Sequence, residues 1–90
     1  MEAILRPATL ADLPACTALL ADLFAREPDF TIDAQRQRRG LELLLTAPRT
    51  RVLVAEVAGR VVAMATAQLV VSTSEGASSA WIEDVVVAPD

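Results

Sequence analysis

Apolar residues recur at helical spacing in the first third of the chain. They lie three or four positions apart, at Leu13, Cys16, Leu20 and Phe24. This stripe predicts a helix over residues 9–27 that ends at Pro28. Two starts fit the sequence: Thr9 with Asp12 three residues later resembles a capping box, and Pro14 suits the first turn of a helix capped by Asp12. We expect a loose start at Thr9 that becomes a regular α-helix near Asp12.

A second helix is predicted to run to about Thr46. Its cap is either Thr31 or Asp33, because both residue types accept hydrogen bonds from the first turn of a helix. Its apolar face is formed by Leu41, Leu44 and Leu45. Gly40 lies inside this helix and costs it about 1 kcal/mol relative to Ala. We therefore expect the second helix to be the less stable of the two.

Strand patterns account for most of the remaining sequence. They cover residues 3–7, 51–57, 61–71 and 79–88, which gives the order βααβββ. The last three strands should form an antiparallel meander, because their connections are too short for parallel crossovers. Gly59 provides the positive φ that a tight turn between two of them needs. The third strand has small residues on one face, at Ala63, Ala65 and Ala67, so a close neighbour is expected there.

Composition places the chain among globular proteins. It has 90 residues, of which 53% are hydrophobic and 22% charged, so we expect one domain or part of one. The net charge of −4 argues against a nucleic-acid partner, which needs a basic surface. One Cys and no His exclude ordinary zinc sites and His-based triads within this sequence. No signal peptide or membrane span is predicted, so the expected location is the cytoplasm, with no membrane partner.

Several segments, taken in order, resemble one enzyme superfamily. They are Ile4-Leu5-Arg6-Pro7-Ala8-Thr9, Asp12-Leu13-Pro14, the hairpin of residues 52–63, and Ile82-Glu83-Asp84-Val85-Val86-Val87-Ala88-Pro89-Asp90. Together with the βααβββ layout they resemble the Gcn5-related N-acetyltransferases (GNAT). The resemblance implies an α+β fold of the three-layer GNAT type, with a mainly antiparallel sheet that is incomplete relative to the family. Residues 1–90 would form the N-terminal part of a single acetyltransferase-like domain.

The same resemblance implies a co-substrate and a reaction. Family members transfer an acetyl group from acetyl-coenzyme A to a primary amine, here the amine of an unknown small molecule or protein. Their fourth strand leads into an Arg/Gln-x-x-Gly-x-Gly/Ala loop that binds the pyrophosphate at a helix N-terminus. This sequence reaches Asp90, where that loop should begin.

Two readings of that last observation stay open. The chain is either a fragment of an enzyme or a truncated, non-catalytic module that acts in assembly through an exposed fourth strand. In both cases we expect a partner along residues 81–88, either in a homodimer or as a C-terminal half.

The candidate catalytic residues are two adjacent carboxylates in the fourth strand. Glu83 is the candidate general base, which removes a proton from the ammonium group, and Asp84 is the second candidate. Strand alternation puts Trp81, Glu83, Val85 and Val87 on one face and Ile82, Asp84 and Val86 on the other. Only one of the two carboxylates can then face a cleft, unless a bulge of the kind frequent in the family changes the count. The alternative is that both are polar residues on a half-exposed strand.

The remaining candidates surround these carboxylates. The resemblance implies that main-chain groups of Val85, Val86 and Val87 bind the pantetheine arm and the thioester carbonyl. Phe24, Phe30 and Trp81 are candidates for the acceptor site, although ordinary packing is the preferred interpretation of all three. The basic run of Arg36, Arg38 and Arg39 fits a solvated helix face or contact with an anionic substrate. Cys16 is expected to be a small core residue.

Overall fold

The computed structural model describes residues 2–27 and 33–89. Three sequence predictions fall outside these ranges: the helix end at Pro28, the alternative cap at Thr31, and the acceptor-site candidate Phe30. None of the helices in the described ranges is long and apolar enough to cross a membrane.

The first helix begins in two stages, as predicted. Strand β1 (Ile4–Pro7) is followed by a single 3₁₀ turn, Leu10–Asp12, and then by helix α1 (Leu13–Ala25). The backbone N–H of Thr9 donates to Oδ2 of Asp12 at 2.8 Å, which closes the 3₁₀ turn. Pro14 lies in the first turn of α1, where its missing N–H leaves no bond unmade. Both predicted starts are therefore used, one after the other.

The second helix, α2 (Ala34–Thr46), is capped by Asp33. The side chain of Asp33 accepts a hydrogen bond from the backbone N–H of Arg36 at 3.2 Å, which satisfies one of the free donors of the first turn. Leu41 is buried, and Leu44 and Leu45 pack against the same core. The predicted apolar face of α2 is thus confirmed.

The four strands form one antiparallel sheet in the order β1-β2-β3-β4. The last three are β2 (Thr50–Val57), β3 (Arg60–Ser72) and β4 (Ala77–Val87). Strand β4 begins two residues before the predicted start at Ser79. The turn between β2 and β3 has positive φ at Ala58 and Gly59, 51° and 77°, as a tight hairpin turn requires. The predicted meander is confirmed.

Both helices pack on one face of the sheet, and the core lies between the two layers. It contains Leu13, Cys16, Leu19, Leu20, Leu41, Val52, Val54, Met64 and Val86. The opposite face carries exposed Leu5, Leu53, Val85 and Val87 around the row of alanines on β3. The third layer implied by the resemblance has no counterpart among the described residues. The close neighbour expected on this alanine row therefore stays a prediction.

A charged cluster ties β1, the 3₁₀ turn and β2 together. The guanidinium of Arg6 donates to both carboxylate oxygens of Asp12, at 2.8 and 3.0 Å, and to Oε1 of Glu56 at 2.8 and 3.0 Å. Asp12 is only 8% exposed, so its charge needs these partners. The hydrogen bonds from Arg6 lower the pKa of Asp12 to about 2, against the effect of burial. Asp12 is therefore ionised, and the cluster intact, throughout the neutral pH range.

Candidate active site

Strand β4 contains a bulge at the two candidate carboxylates. Val86 pairs with Met64 and Glu83 pairs with Thr66, so a single residue of β3, Ala65, lies opposite both Asp84 and Val85. The backbone of Asp84 is left-handed, with φ of 53°. Asp is among the few residues other than Gly that adopt this conformation readily. The bulge that the resemblance implied is therefore present.

The bulge changes which side chains share a face. Glu83 lies on the helix-packed face with its partner Thr66, whereas Val85 and Val87 lie on the open face of the sheet. Val86 returns to the helix-packed face and is buried in the core. The prediction of unbroken alternation from Trp81 to Val87 is thus wrong after Glu83, because one inserted residue reverses every later side chain.

The two carboxylates border one cleft, formed where β4 passes the C-terminal end of α1. The cleft has a volume of about 440 Å³ and is lined by Leu23, Phe24, Glu27, Glu83, Asp84 and Val85. Each side combines apolar and acidic side chains, Leu23, Phe24 and Glu27 at the end of α1 and Glu83, Asp84 and Val85 on β4, and none of the described lining residues is basic. Such a cleft favours a positively charged group attached to an apolar body, because opposite charges attract and the apolar side chains contact the rest of the ligand.

Asp84 has the more perturbed environment of the two carboxylates. Burial and, secondarily, the negative charge of Glu83 raise its pKa above the ordinary value. A hydrogen bond from Thr66 opposes this shift: Oγ1 of Thr66 lies 3.4 Å from Oδ2 of Asp84. Perturbed carboxyl groups in clefts are frequent at functional sites, so Asp84 is retained beside Glu83 as a candidate.

Trp81 contacts the candidate base but not the cleft. Its indole Nε1–H donates to Oε1 of Glu83, and its ring is 57% exposed. Among the described residues Phe24 therefore lines the cleft together with the carboxylates, whereas Trp81 lies outside the lining and contacts Glu83. An acceptor-binding role for either aromatic residue stays a prediction.

The three valines predicted to bind the cofactor lie on the last strand of the described sheet. Val85 and Val87 are 62% and 61% exposed, and Val86 is 4% exposed. Val85 also borders the cleft, so its main chain lies beside the carboxylates. In the described sheet β4 pairs with β3 on one side, and its other edge makes no strand pairing with the described residues. Binding of a pantetheine arm there is a prediction that this geometry permits.

Sequence reasoning missed three residues of the site. Leu23 and Glu27 extend the cleft wall formed by Phe24, at positions where one helical turn places neighbours. Thr66 contacts both Glu83 and Asp84 from β3. The signal for Thr66 was its hydroxyl next to Met64 on the core-facing side of a mostly apolar strand, because a buried polar group needs a hydrogen-bond partner.

The other candidates lie away from the cleft. Arg36 and Arg38 are exposed and pair with Asp33 and Glu42 on their own helix, as expected of a solvated face. Cys16 is buried in the core, and that burial raises the pKa of its thiol to about 11. The expectation that Cys16 is a packing residue is confirmed.

Comparison with known proteins tests the fold. No family model and no curated protein sequence matches the chain. A possible acetyltransferase from Clostridium difficile 630 superposes with a TM-score of 0.84 at 22% identity, over 99% of this chain and 59% of that one. A candidate acetyltransferase from Agrobacterium tumefaciens strain C58 matches with a TM-score of 0.74 at 31% identity, over 96% and 59%. An acetyltransferase predicted in Clostridium acetobutylicum, solved with acetyl-coenzyme A, matches with a TM-score of 0.73 at 16% identity, over 98% and 61%.

The chain therefore has the fold of the Gcn5-related N-acetyltransferases, as its sequence motifs predicted. It spans about three fifths of the length of the structures it matches. The segment shared with them includes the whole of the described sheet and both helices. This fold places the bulged strand β4 beside the C-terminal end of α1.

Proposed function

We propose that residues 1–90 form the N-terminal part of an N-acetyltransferase domain that moves an acetyl group from acetyl-coenzyme A to a primary amine. The observation that carries this proposal is the bulge in β4, which turns two consecutive carboxylates toward one cleft on the last strand of the described sheet. The match to a structure solved with acetyl-coenzyme A supports the choice of co-substrate. The fold alone does not select an acceptor.

The proposed reaction is a direct attack within a ternary complex. The carboxylate of Glu83 takes a proton from the acceptor's ammonium group, directly or through one water molecule, and leaves a neutral amine. The amine nitrogen attacks the thioester carbonyl carbon and a C–N bond forms. The attacking nitrogen then loses its second proton, and the C–S bond breaks with its electron pair on sulfur, which takes up one proton to become the thiol of coenzyme A. Main-chain N–H groups of the segment Val85–Val87 are the proposed donors to the developing oxyanion. The products are the acetylated amine and coenzyme A.

The charges of the cleft support an amine as the acceptor. Glu27, Glu83 and Asp84 lie around one opening, and an ammonium group entering it is attracted before it loses its proton. Leu23 and Phe24 form an apolar wall for the carbon skeleton of the acceptor. An anionic acceptor group would be repelled at the same place.

Binding of acetyl-coenzyme A tests this proposal directly. The protein should be expressed from its natural reading frame, with whatever that frame encodes on either side, and titrated with acetyl-coenzyme A in a calorimeter. We expect saturable binding with one site per domain, followed by release of free thiol when a primary amine is added. Absence of any binding by the folded protein overturns the proposal.

A second candidate function rests on the same strand. Because β4 is the last strand of the described sheet and carries exposed Ile82, Val85 and Val87, we also propose that it pairs with another strand, either in a homodimer or with a C-terminal half. An accessible edge with apolar side chains recruits strands from other chains. In this alternative the protein is a non-catalytic assembly module.

Light scattering over a concentration series tests the pairing. We expect the 90-residue chain to dimerise and the variant Val85→Lys to be monomeric, because a charged side chain on an edge strand discourages pairing. Leu53→Lys is the matched control: Leu53 is 47% exposed on the same open face but lies on β2, which at this position pairs with both β1 and β3. A dilute monomer that stays monomeric on concentration contradicts the alternative, and equal effects of both variants assign association to the open face instead.

A further inference from the structure

One buried hydroxyl lies between the two carboxylate residues of the bulge. Thr66 is 1% exposed, in the middle of β3, and it is paired with Glu83. Its Oγ1 lies 3.0 Å from the main-chain carbonyl oxygen of Glu83 and 3.4 Å from Oδ2 of Asp84. Thr66 lies between the buried apolar core and the carboxylates of β4, and these two acceptors satisfy a hydroxyl that would otherwise be buried without a partner.

The position of these contacts matters because the carbonyl of Glu83 belongs to the peptide group that joins Glu83 to Asp84. The orientation of that peptide group depends on the left-handed φ of Asp84, which Asp adopts more readily than most residues but which an isolated strand does not require. A donor that holds this carbonyl therefore fixes the point at which β4 changes face. It also fixes where Glu83 and Val85 lie on either side of the bulge.

We infer that Thr66 is a positioning residue, whose single hydroxyl proton holds the Glu83 carbonyl and the Asp84 carboxylate together and thereby sets the geometry of the β4 bulge. A hydroxyl has one proton to donate, so the two acceptors compete for it. When Asp84 is ionised, its negative charge makes it the stronger acceptor, and the hydroxyl of Thr66 donates to it. When Asp84 is protonated, the hydroxyl of Thr66 donates to the carbonyl of Glu83 instead. The protonation state of Asp84 is therefore coupled to the main chain of the bulge.

Within residues 2–27 and 33–89, the polar groups that border Asp84 lie on three elements. They are Glu83 on its own strand and Glu27 beyond the end of α1, both acidic, together with the neutral Thr66 on β3. An ionised carboxylate has no proton to donate, so neither Glu83 nor Glu27 can replace the hydrogen bond that Thr66 donates to Asp84. The catalytic consequence of this inference rests on the proposed function, but the coupling itself does not.

The variant Thr66→Val tests the inference, because it keeps the shape of the side chain and removes the proton. We expect the pKa of Asp84, followed by ¹³C NMR of its carboxyl carbon, to rise in Thr66→Val and to return toward the original value in Thr66→Ser. With acetyl-coenzyme A and an amine, kcat should fall about 10- to 100-fold in Thr66→Val and recover in Thr66→Ser, since small displacements of reacting groups have effects of this size. The matched control is Thr17→Val, which removes a hydroxyl bonded to the carbonyl of Leu13 in α1.

A second measurement needs no change at Thr66. In the unaltered protein, the backbone ¹⁵N–¹H signals of Glu83 and Val85 should titrate together with the carboxyl group of Asp84, and this titration should disappear in Asp84→Asn. An unchanged Asp84 titration in folded Thr66→Val, or Glu83 and Val85 amides that do not follow Asp84, overturns the inference. Both readouts are independent of acetyl-coenzyme A, so failure of the proposed function leaves them interpretable.

Discussion

Replacing Glu83 by Gln is expected to lower kcat for acetyl transfer by about 10²- to 10⁴-fold, the usual contribution of a positioned general base. Gln keeps the length of the side chain and an oxygen that can accept the hydrogen bond from Nε1 of Trp81. It cannot take a proton from an ammonium group at neutral pH. The loss should therefore appear in kcat and kcat/KM together, with little change in acetyl-coenzyme A binding measured by calorimetry.

The pH dependence of the Glu83→Gln variant gives a sharper test than the rate alone. Without a base in the cleft, the variant can use only acceptor that is already neutral, so its rate should keep rising with pH toward the pKa of the free amine, about 10 for an alkylamine. The unaltered enzyme should reach its plateau at a lower pH. Glu75→Gln, in the exposed loop between β3 and β4, is the matched control and should behave as the unaltered protein.

The contrary outcome would assign the role of general base to the adjacent carboxylate, Asp84. If Asp84 is the base, Asp84→Asn will show the large loss and the altered pH profile, and Glu83→Gln will keep most of its activity. The raised pKa of Asp84, caused first by burial and then by the charge of Glu83, makes this comparison necessary. A change in kcat of less than about threefold in both variants would show that the general base does not lie on β4.

Replacing Leu41 by Ala is expected to lower the free energy of unfolding by about 2–5 kcal/mol, the range for a buried Leu in a packed core. Leu41 is 1% exposed and is the buried residue through which α2 joins the core. A domain of this size buries a small share of its surface and is only marginally stable, so a loss of this size is a large part of the total. Urea unfolding followed by circular dichroism measures the change.

The same helix offers a matched control for this prediction. Leu43 lies two positions away and is 70% exposed, so Leu43→Ala removes the same atoms from the surface and should change stability by no more than about 0.5 kcal/mol. Leu41→Met, which conserves volume, should cost less than about 1.5 kcal/mol. Equal destabilisation by Leu41→Ala and Leu43→Ala would show that α2 does not pack on the sheet through Leu41.

Local signals predicted most of the fold because they act within a few residues of one another. The apolar stripe of α1, the tight turn at Gly59 and the cap at Asp33 each follow from short-range spacing or chemistry. At the start of α1 two starts competed in the sequence, and the structure uses both in succession. The two-stage start was expected from the sequence, but the side chain of Asp12 accepts from Arg6 and from the backbone N–H of Thr9 and makes no cap hydrogen bond to α1, and the long-range ion pair behind this had no local signal.

The candidate site was predicted less completely. Glu83 and Asp84 were identified through their resemblance to a known strand, but their shared orientation was not, because a period of two residues says nothing about an inserted residue. The contact with Thr66 joins positions 17 and 18 residues apart, and no local pattern links them. Catalytic roles for these residues stay predictions until the variants are measured.

The amino-acid sequence and the tertiary structure determine different features of this protein, for a physical reason. Helix and strand positions, the turn and the identity of the carboxylates follow from neighbouring residues, whose preferences are largely independent of the rest of the chain. The bulge, the left-handed Asp84 and the cleft against α1 exist only because β3 and the helix layer hold β4 in one register. A strand in isolation could slip by one residue at little cost, whereas burial of Val86 and the hydrogen bonds of Thr66 select the register that turns both carboxylates the same way.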